Sequence, residues 1–413
     1  MILKESQNNM QAVILAAGEG QRMLPLSKSR PKGMLPVANK PVIEHIIAEA
    51  KKAGINEFIL VTGYKSDVLT HYFGDGTRFG IKIAYCHQEN IQGTGAALRA
   101  VQDAVRQNFL VFNSDMLISA ADILQLSQAE TITIGVKEKD NPAGFGIVEE
   151  QNGKVSCIVE KPDSALSGLV NIGAYILNQH IFTAIDKTLL SSRGELELTQ
   201  ALQLLIDQGI PICCTALNSW QDISYPWDLL SANTNLLSHL VSGSQGIIEE
   251  NVHIDGPCLI GAGSIIRSGS YITGPVIIGE NCDIGPNCFI RPATSIGDNC
   301  RIGGSVEIKN SIIMRGSKIP HMNYVGDSII GENCNLGAGT KIANIRFDKK
   351  PITISDTNTG LLKFGAVLGD DVQTGINVSI NSGTLIGNQV NVWPYVVAHG
   401  HIPDNVQLRK KPL

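Results

Sequence analysis

Residues 248–308 read IEENVHIDGPCLIGAGSIIRSGSYITGPVIIGENCDIGPNCFIRPATSIGDNCRIGGSVEI, with isoleucine at 248, 254, 260, 266, 272, 278, 284, 290, 296, 302 and 308. A period of six fits neither the 3.6-residue helix nor the two-residue alternation of a strand. It predicts a left-handed parallel β-helix, in which three hexapeptides complete a triangular coil and each isoleucine stacks inward on the one a coil above. Glycine follows the isoleucine at 261, 279, 285, 297 and 303, where it is expected to relieve the corner. Cys258, Cys282, Cys288, Cys300 and Cys334 each stand four residues after a frame aliphatic, at the second, small inward position. Packing therefore explains them better than zinc or disulfides; Cys86, Cys157, Cys213 and Cys214 show no metal-ligand spacing either. At about 18 residues per coil and about 4.8 Å between coils, the prism is expected to be roughly 40 Å long. The frame lapses between Ile308 and Ile330, resumes at Ile330, Leu336 and Ile342, lapses again over 346–362, and resumes at Leu368, Ile380, Ile386 and Val392. Both lapses are expected to project as loops, where function concentrates.

Upstream the pattern changes. Apolar runs at 11–16, 57–62 and 109–112 read as buried strands, and the stretches 41–53 and 95–105 as helices. Strands alternating with helices imply βαβ units and a mostly parallel sheet, Rossmann-like, with ligands bound beyond the carboxyl ends of its strands. A helical stretch at 228–240 and the Ser/Gly-rich residues 238–246 separate the halves. The expected organisation is a short disordered extension at 1–9, an α/β domain at 10–240 and a β-helix domain at 247–413.

Hydrophobic residues make up 43% of the 413, enough to fill real cores, and a formal charge of -5 excludes a basic nucleic-acid footprint. No apolar run reaches the roughly 18 residues of a membrane span. The polar opening MILKESQNN does not read as a signal peptide, so a cytoplasmic location with no membrane partner is expected.

The segment 15–45, LAAGEGQRMLPLSKSRPKGMLPVANKPVIEH, joins a glycine-rich loop after a strand (Leu15, Ala16, Ala17, Gly18, Gly20) to two cations, Arg22 and Lys32. Backbone N–H groups at glycines accommodate phosphates, and cations offset the charge of two anions brought together. Asp115 in Asn113-Ser114-Asp115 and Asp222 in Trp220-Gln221-Asp222 supply carboxylates suited to Mg²⁺. Read alone, Asp115 is equally a turn residue and Asp222 a helix N-cap.

In order and spacing, these motifs resemble the sugar-1-phosphate nucleotidylyltransferase family over about 10–240. The resemblance implies that Leu15–Ala17, Gly18, Gly20, Gln88, Gly93 and Thr94 bind the nucleotide. It makes Arg22 and Lys32 catalytic and gives the metal to Asp115 and Asp222. Gly146, Glu160, Lys161 and Asn171 fall to the sugar phosphate. Gln21 and Gly33 depart from the family's usual residues.

Arg291-Pro292, Glu307-Ile308-Lys309, Gly316-Ser317-Lys318, His321, Tyr324, Asn335-Leu336-Gly337-Ala338-Gly339-Thr340 and Asn344 stand in an order and spacing that resemble the β-helix acetyltransferase domain of GlmU-type bifunctional enzymes, their archaeal branch included. That resemblance implies His321 as general base for an amine attacking acetyl-CoA. Arg291 and Lys309 would take the sugar phosphate, Tyr324 and Asn335 the sugar, and Ala338 and Asn344 the acetyl-CoA path, in a homotrimer. A single histidine is otherwise most often structural, and His399 and His401 compete with it. Ile345-Arg346-Phe347-Asp348 and a longer 349–362 depart from the bacterial pattern. The expected function is therefore bifunctional: N-acetylation of an amino-sugar 1-phosphate, then formation of a UDP-N-acetylhexosamine from UTP. The rivals are a single-activity pyrophosphorylase making dTDP-glucose or GDP-mannose with an architectural solenoid, and a catalytically dead scaffold.

Overall fold

The computed structural model describes residues 10–88, 93–140, 142, 144–160 and 168–409. The expected extension at 1–9 and Lys161 lie outside the described residues. Two compact units emerge: one takes residues up to Glu19, Arg30–Met34 and Val42–Asp222, the other Gly20–Ser29, Leu35–Pro41 and Ile223–Leu413.

In the first unit, four strands run parallel in the spatial order Lys82–His87, Glu57–Thr62, Gln11–Leu15, Asn108–Asn113. Gln11–Leu15 is buried along its whole length, as a strand flanked on both edges and covered on both faces must be. Helix α1, Val42–Lys52, buries Val42, Ile43, Ile46, Ile47 and Ala50 and stops before Gly54, whose φ of 95° ends it.

Beyond Asn108–Asn113 the nine-stranded sheet turns largely antiparallel, through Gly168–Asn178, Thr133–Lys139, Cys213–Ala216, Lys154–Val159 and Ile147–Gln151. The sheet is thus mixed, parallel in the half that carries the glycine loop. A two-residue hairpin is one reason: Asn152 and Gly153 both have positive φ, the Asn-Gly pairing that joins Ile147–Gln151 to Lys154–Val159.

The second unit is the parallel β-helix, with three all-parallel sheets of nine, nine and eight strands. The frame isoleucines pair as expected, Ile254↔Ile272↔Ile290↔Ile308, and Ile272, Ile290 and Ile308 are completely buried. All five frame cysteines are buried free thiols in the same core.

Two expectations need correction. Between Ile308 and Ile330 no loop projects. Ile296 pairs with Ile313 and Ile313 with Ile330, Ile302 with Ile319 and Ile308 with Val325, so two successive coils each run one residue short and the six-residue count slips while the prism continues. The second lapse is a true excursion, carrying the hairpin Thr353–Ile354/Thr357–Asn358 before the coil resumes at Ala366–Leu368.

The glycines also act differently. Gly261, Gly279, Gly297 and Gly303 do not have positive φ; a Cβ on Gly261 would meet the Gly279 carbonyl at 2.6 Å, so they permit close approach of the next coil. Left-handed φ occurs at Gly285, as expected, and at asparagines such as Asn281, Asn299 and Asn333.

Helix α2, Pro226–Leu237, belongs to this unit. Its Asn233, fully buried, accepts from Ala38 N (2.9 Å) and Ser295 Oγ (2.5 Å) and donates to Ala293 O (2.9 Å). One side chain thereby ties the helix, the short hairpin Pro36–Val37/Lys40–Pro41 and a solenoid coil together.

Candidate functional site

The sheet register sets the first site. Leu15 pairs with both Val61 and Asn113, so the glycine loop and the Ser114-Asp115 bend leave neighbouring strands at one edge. Gln88 follows the adjoining strand end, with its N–H donating to Thr62 O at 2.8 Å and its side chain buried. Gly18 has open space where a Cβ would stand, so among the described residues nothing demands glycine there.

Lys32 opens a 3-10 turn at Lys32–Met34, and its Nζ donates to Asp115 Oδ2 at 2.5 Å. Gly33 explains the approach: a Cβ there would lie 2.9 Å from Ser114 Cβ and 2.7 Å from Ile43 Cδ1. Glycine at 33 thus lets the turn lie close against Ile43 and Ser114, beside the Lys32–Asp115 bond. Asp222 lies on a strand, Gln221–Asp222, paired antiparallel with Met116–Leu117, and stands opposite Met116. It is not a helix cap; helix α2 is capped by Asp228, whose Oδ2 accepts from Ser224 N at 2.9 Å and Tyr225 N at 2.7 Å. Strand pairing therefore sets the two carboxylate residues one register step apart, and the first of them accepts from the lysine.

A second cluster gathers Gly146, Glu160 and Asn171. Asn171 N donates to Gly146 O at 2.8 Å, and a Cβ on Gly146 would lie 3.1 Å from Glu160 Oε2. Glu160 accepts from Thr199 Oγ1 at 3.0 Å and Arg193 Nη2 at 3.3 Å, and Arg193 also donates to Glu197 Oε1 at 2.6 Å. Asn171 Nδ2 donates to the hydroxyl of Tyr175, a phenol that burial pushes well above its ordinary value. Arg193, Glu197, Thr199 and Tyr175 were missed in the sequence; they carry no motif and meet Glu160 and Asn171 only in the fold. Thr94, expected at the nucleotide, spends its hydroxyl on Leu198 N at 3.1 Å, and Gly93 abuts the Leu196 carbonyl.

Gly20 and Arg22 belong to the second unit. The Arg22 guanidinium stands 5.6 Å from the centre of the Tyr225 ring, and that ring stacks on Trp227 at 4.6 Å.

The solenoid site is built by stacking. Glu307 pairs with Tyr324, Lys309 with Gly326, and Tyr324 with Lys341 in successive coils of one sheet. Asp327, almost completely buried, accepts from Lys309 Nζ at 3.1 Å, Asn310 Nδ2 at 2.7 Å and Asn344 Nδ2 at 2.5 Å. Asn344 Nδ2 also donates to Tyr324 Oη at 3.2 Å. Two expected residues, Lys309 and Asn344, thus meet on a carboxylate that no sequence motif marks, and a third, Tyr324, joins them through Asn344.

His321 ends the strand Lys318–His321 with its side chain exposed, and its carbonyl accepts from Gly339 N, beside Ala338, at 3.0 Å. It sits on the coil, not on an excursion. Asn335 is exposed on the next strand, opposite Lys318. Arg291 donates to Glu307 Oε1 at 2.8 Å instead of joining the Asp327 group. No group of three or more metal-ligating side chains occurs among the described residues. No helix among them is long and apolar enough to cross a membrane.

Residues 11–239 match the nucleotidyl transferase family model, and residues 272–392 the model of the GMPPB C-terminal domain. A Methanococcus maripaludis protein named bifunctional protein GlmU is 43% identical over 97% of this chain and 98% of its own. A Sulfurisphaera tokodaii protein named bifunctional sugar-1-phosphate nucleotidylyltransferase/acetyltransferase is 39% identical over 94% of this chain and 97% of its own. A solved Bacillus anthracis structure, described as a glucose-1-phosphate thymidylyltransferase, is 28% identical and covers 57% of this chain and 97% of its own at a TM-score of 0.51. Nearly full-length relatives of the bifunctional kind do not favour the single-activity rival. The chain belongs to the nucleotidyl transferase family, among its GlmU-type bifunctional enzymes.

Proposed function

We propose that the chain performs two reactions at two sites. Residues 247–413 acetylate glucosamine 1-phosphate with acetyl-CoA, and residues 10–240 join N-acetylglucosamine 1-phosphate to UTP, giving UDP-N-acetylglucosamine and pyrophosphate. The observation that carries this reading is that two separate polar constellations, Lys32 with Asp115 and Asp222 alongside, and Lys309–Asp327–Asn344–Tyr324, are intact in one chain.

In nucleotidyl transfer, a sugar-phosphate oxygen attacks the α-phosphorus in line, and the bond to the β-phosphate bridging oxygen breaks. Backbone N–H groups around Gly18 and Gly20 cradle the phosphates, which is a reason for glycine at a position where the fold needs none. Lys32 exchanges Asp115 for the sugar phosphate, and Arg22 balances the departing pyrophosphate. Asp115 and Asp222 suit Mg²⁺, since two carboxylates plus substrate phosphates satisfy a hard cation that keeps several waters. That ion would offset phosphate charge. Gln88 faces the base; Gly146, Glu160, Lys161 and Asn171 take the sugar.

In acetyl transfer, His321 accepts the proton of the amine as it attacks the thioester carbonyl, and the thiol of CoA leaves. Arg291 and Lys309 hold the phosphate, Tyr324 and Asn335 the sugar, while Ala338 and Asn344 line the thioester path. The solenoid assembles as a homotrimer, and nine free thiols suit a reducing cytoplasm.

The test is a product assay. Purified protein with Mg²⁺, UTP and N-acetylglucosamine 1-phosphate is expected to release pyrophosphate. With glucosamine 1-phosphate and acetyl-CoA it is expected to release free CoA thiol. Absence of CoA release from an active pyrophosphorylase overturns the bifunctional reading. Because dTTP differs from UTP by the thymine methyl group, worth about 1–3 kcal/mol, and by the missing 2′-hydroxyl, it is expected to serve as a weaker substrate.

A further inference from the structure

One corner of the solenoid carries a ladder of side chains. The backbone N–H of Glu332 donates to Asp370 Oδ1 at 2.8 Å, that of Asp370 to Asn388 Oδ1 at 2.6 Å, and that of Asn388 to Asp404 Oδ1 at 2.7 Å. The same bond occurs lower down, from Glu280 N to Asp298 Oδ1 at 2.8 Å, so the ladder oxygen is architectural.

The second atom of each upper side chain meets the loop Gly20–Ser29, which belongs to the same compact unit. Asp370 Oδ2 accepts from Ser29 Oγ at 2.5 Å, Asn388 Nδ2 donates to Pro25 O at 3.1 Å, and Asp404 Oδ2 lies 3.8 Å from Lys28 Nζ. The corner thus offers an acceptor, a donor and an anion to a hydroxyl, a carbonyl and an ammonium of the loop. Asn388 also separates two carboxylates, with Nδ2 3.3 Å from Asp404 Oδ1, but that role does not require the bond to Pro25.

The loop passes this register toward Arg22. Ser27 Oγ and Met23 N both donate to Gly20 O at 2.8 Å, and Lys28 N donates to Pro25 O at 3.2 Å. The residues flanking Arg22 are therefore tied to those held by the corner.

We propose that the corner column Asp370–Asn388–Asp404 is a docking register for the loop Gly20–Ser29, and that its three residues are positioning residues for nucleotidyl transfer. The proposal rests on the role given above to Arg22. The solenoid then also sets the geometry of the loop that receives the triphosphate. Each contact is partly exposed and individually weak, so the effect comes from their matched order.

Asn388→Asp keeps the ladder oxygen and replaces the donor to Pro25 by an acceptor. Ser29→Ala removes one contact from the loop side without touching the solenoid. In the full-length protein, each is expected to lower kcat/KM for UTP by about tenfold, as misplacement of a substrate-positioning group does. Trypsin cleavage after Lys28 is expected to accelerate in both, while acetyl transfer in both, and Tm in Ser29→Ala, stay at wild-type values. If Asn388→Asp lowers Tm, Ser29→Ala decides. Wild-type UTP kinetics and wild-type cleavage in Ser29→Ala overturn the proposal. Arg22→Ala separates the two readings. If it leaves nucleotidyl transfer intact, the role of Arg22 falls, and the docking register stands or falls on cleavage after Lys28.

Discussion

Lys32 and Asp115, which meet in the sheet unit, are 83 residues apart in the chain. In the solenoid, Asp327 joins residues only 18 and 17 positions away, Lys309 and Asn344. The first arrangement depends on long-range pairing of strands, with a glycine at 33 packed closely against Ile43 and Ser114. The second follows from coil geometry, because residues one turn apart stack without any further device. A sheet can therefore bring together groups that share no local pattern, whereas a solenoid can only line up what its repeat already presents.

The sharpest way to break this comparison is to disable each side. His321→Ala is expected to lower acetyl transfer by about 10²–10⁴-fold while pyrophosphate release persists. Asp115→Asn is expected to do the reverse, lowering nucleotidyl transfer by about 10²–10³-fold in a pyrophosphate assay, with CoA release intact. Asp327→Ala leaves Lys309, Asn310 and Asn344 without their shared buried acceptor, and a loss of about 3–5 kcal/mol is expected by denaturant titration. If stability is unchanged, the stacked network contributes nothing.

Smaller effects sharpen the picture of the prism. Ile290→Ala, at a fully buried rung, is expected to cost about 2–5 kcal/mol by the same titration. Burial pushes the Cys258 thiol up to about 11 and the Cys334 thiol up to about 12. At neutral pH both are thus expected to stay protonated and resist iodoacetamide in the folded protein, as peptide mapping would show, while half-buried Cys157 and Cys213 react first.

The β-helix was legible because eleven isoleucines count out its coil, and the cysteines fell into place with them. What the count could not distinguish was a coil one residue short from a projecting loop. Both interrupt a period of six, but only the pairing of Ile302 with Ile319 shows that the prism continues. Lys32, Asp115 and Asp222 were legible through their motifs and the resemblance these carried. Asp327 was not, because an aspartate in a glycine-rich repeat looks like any corner residue until Lys309, Asn310 and Asn344 are seen around it. The antiparallel half of the sheet was passed over for a similar reason: Asn152-Gly153 is a short signal in a stretch read for parallel units.

The most direct test of two separate sites is complementation. Asp115→Asn and His321→Ala proteins, each alone, are supplied with glucosamine 1-phosphate, acetyl-CoA, UTP and Mg²⁺, and UDP-N-acetylglucosamine is measured. Each alone is expected to give almost none, and an equal mixture is expected to restore the product, because the acetylated intermediate made by one is used by the other. A mixture as inactive as its parts, with both proteins folded, would contradict the division of chemistry between sheet and solenoid.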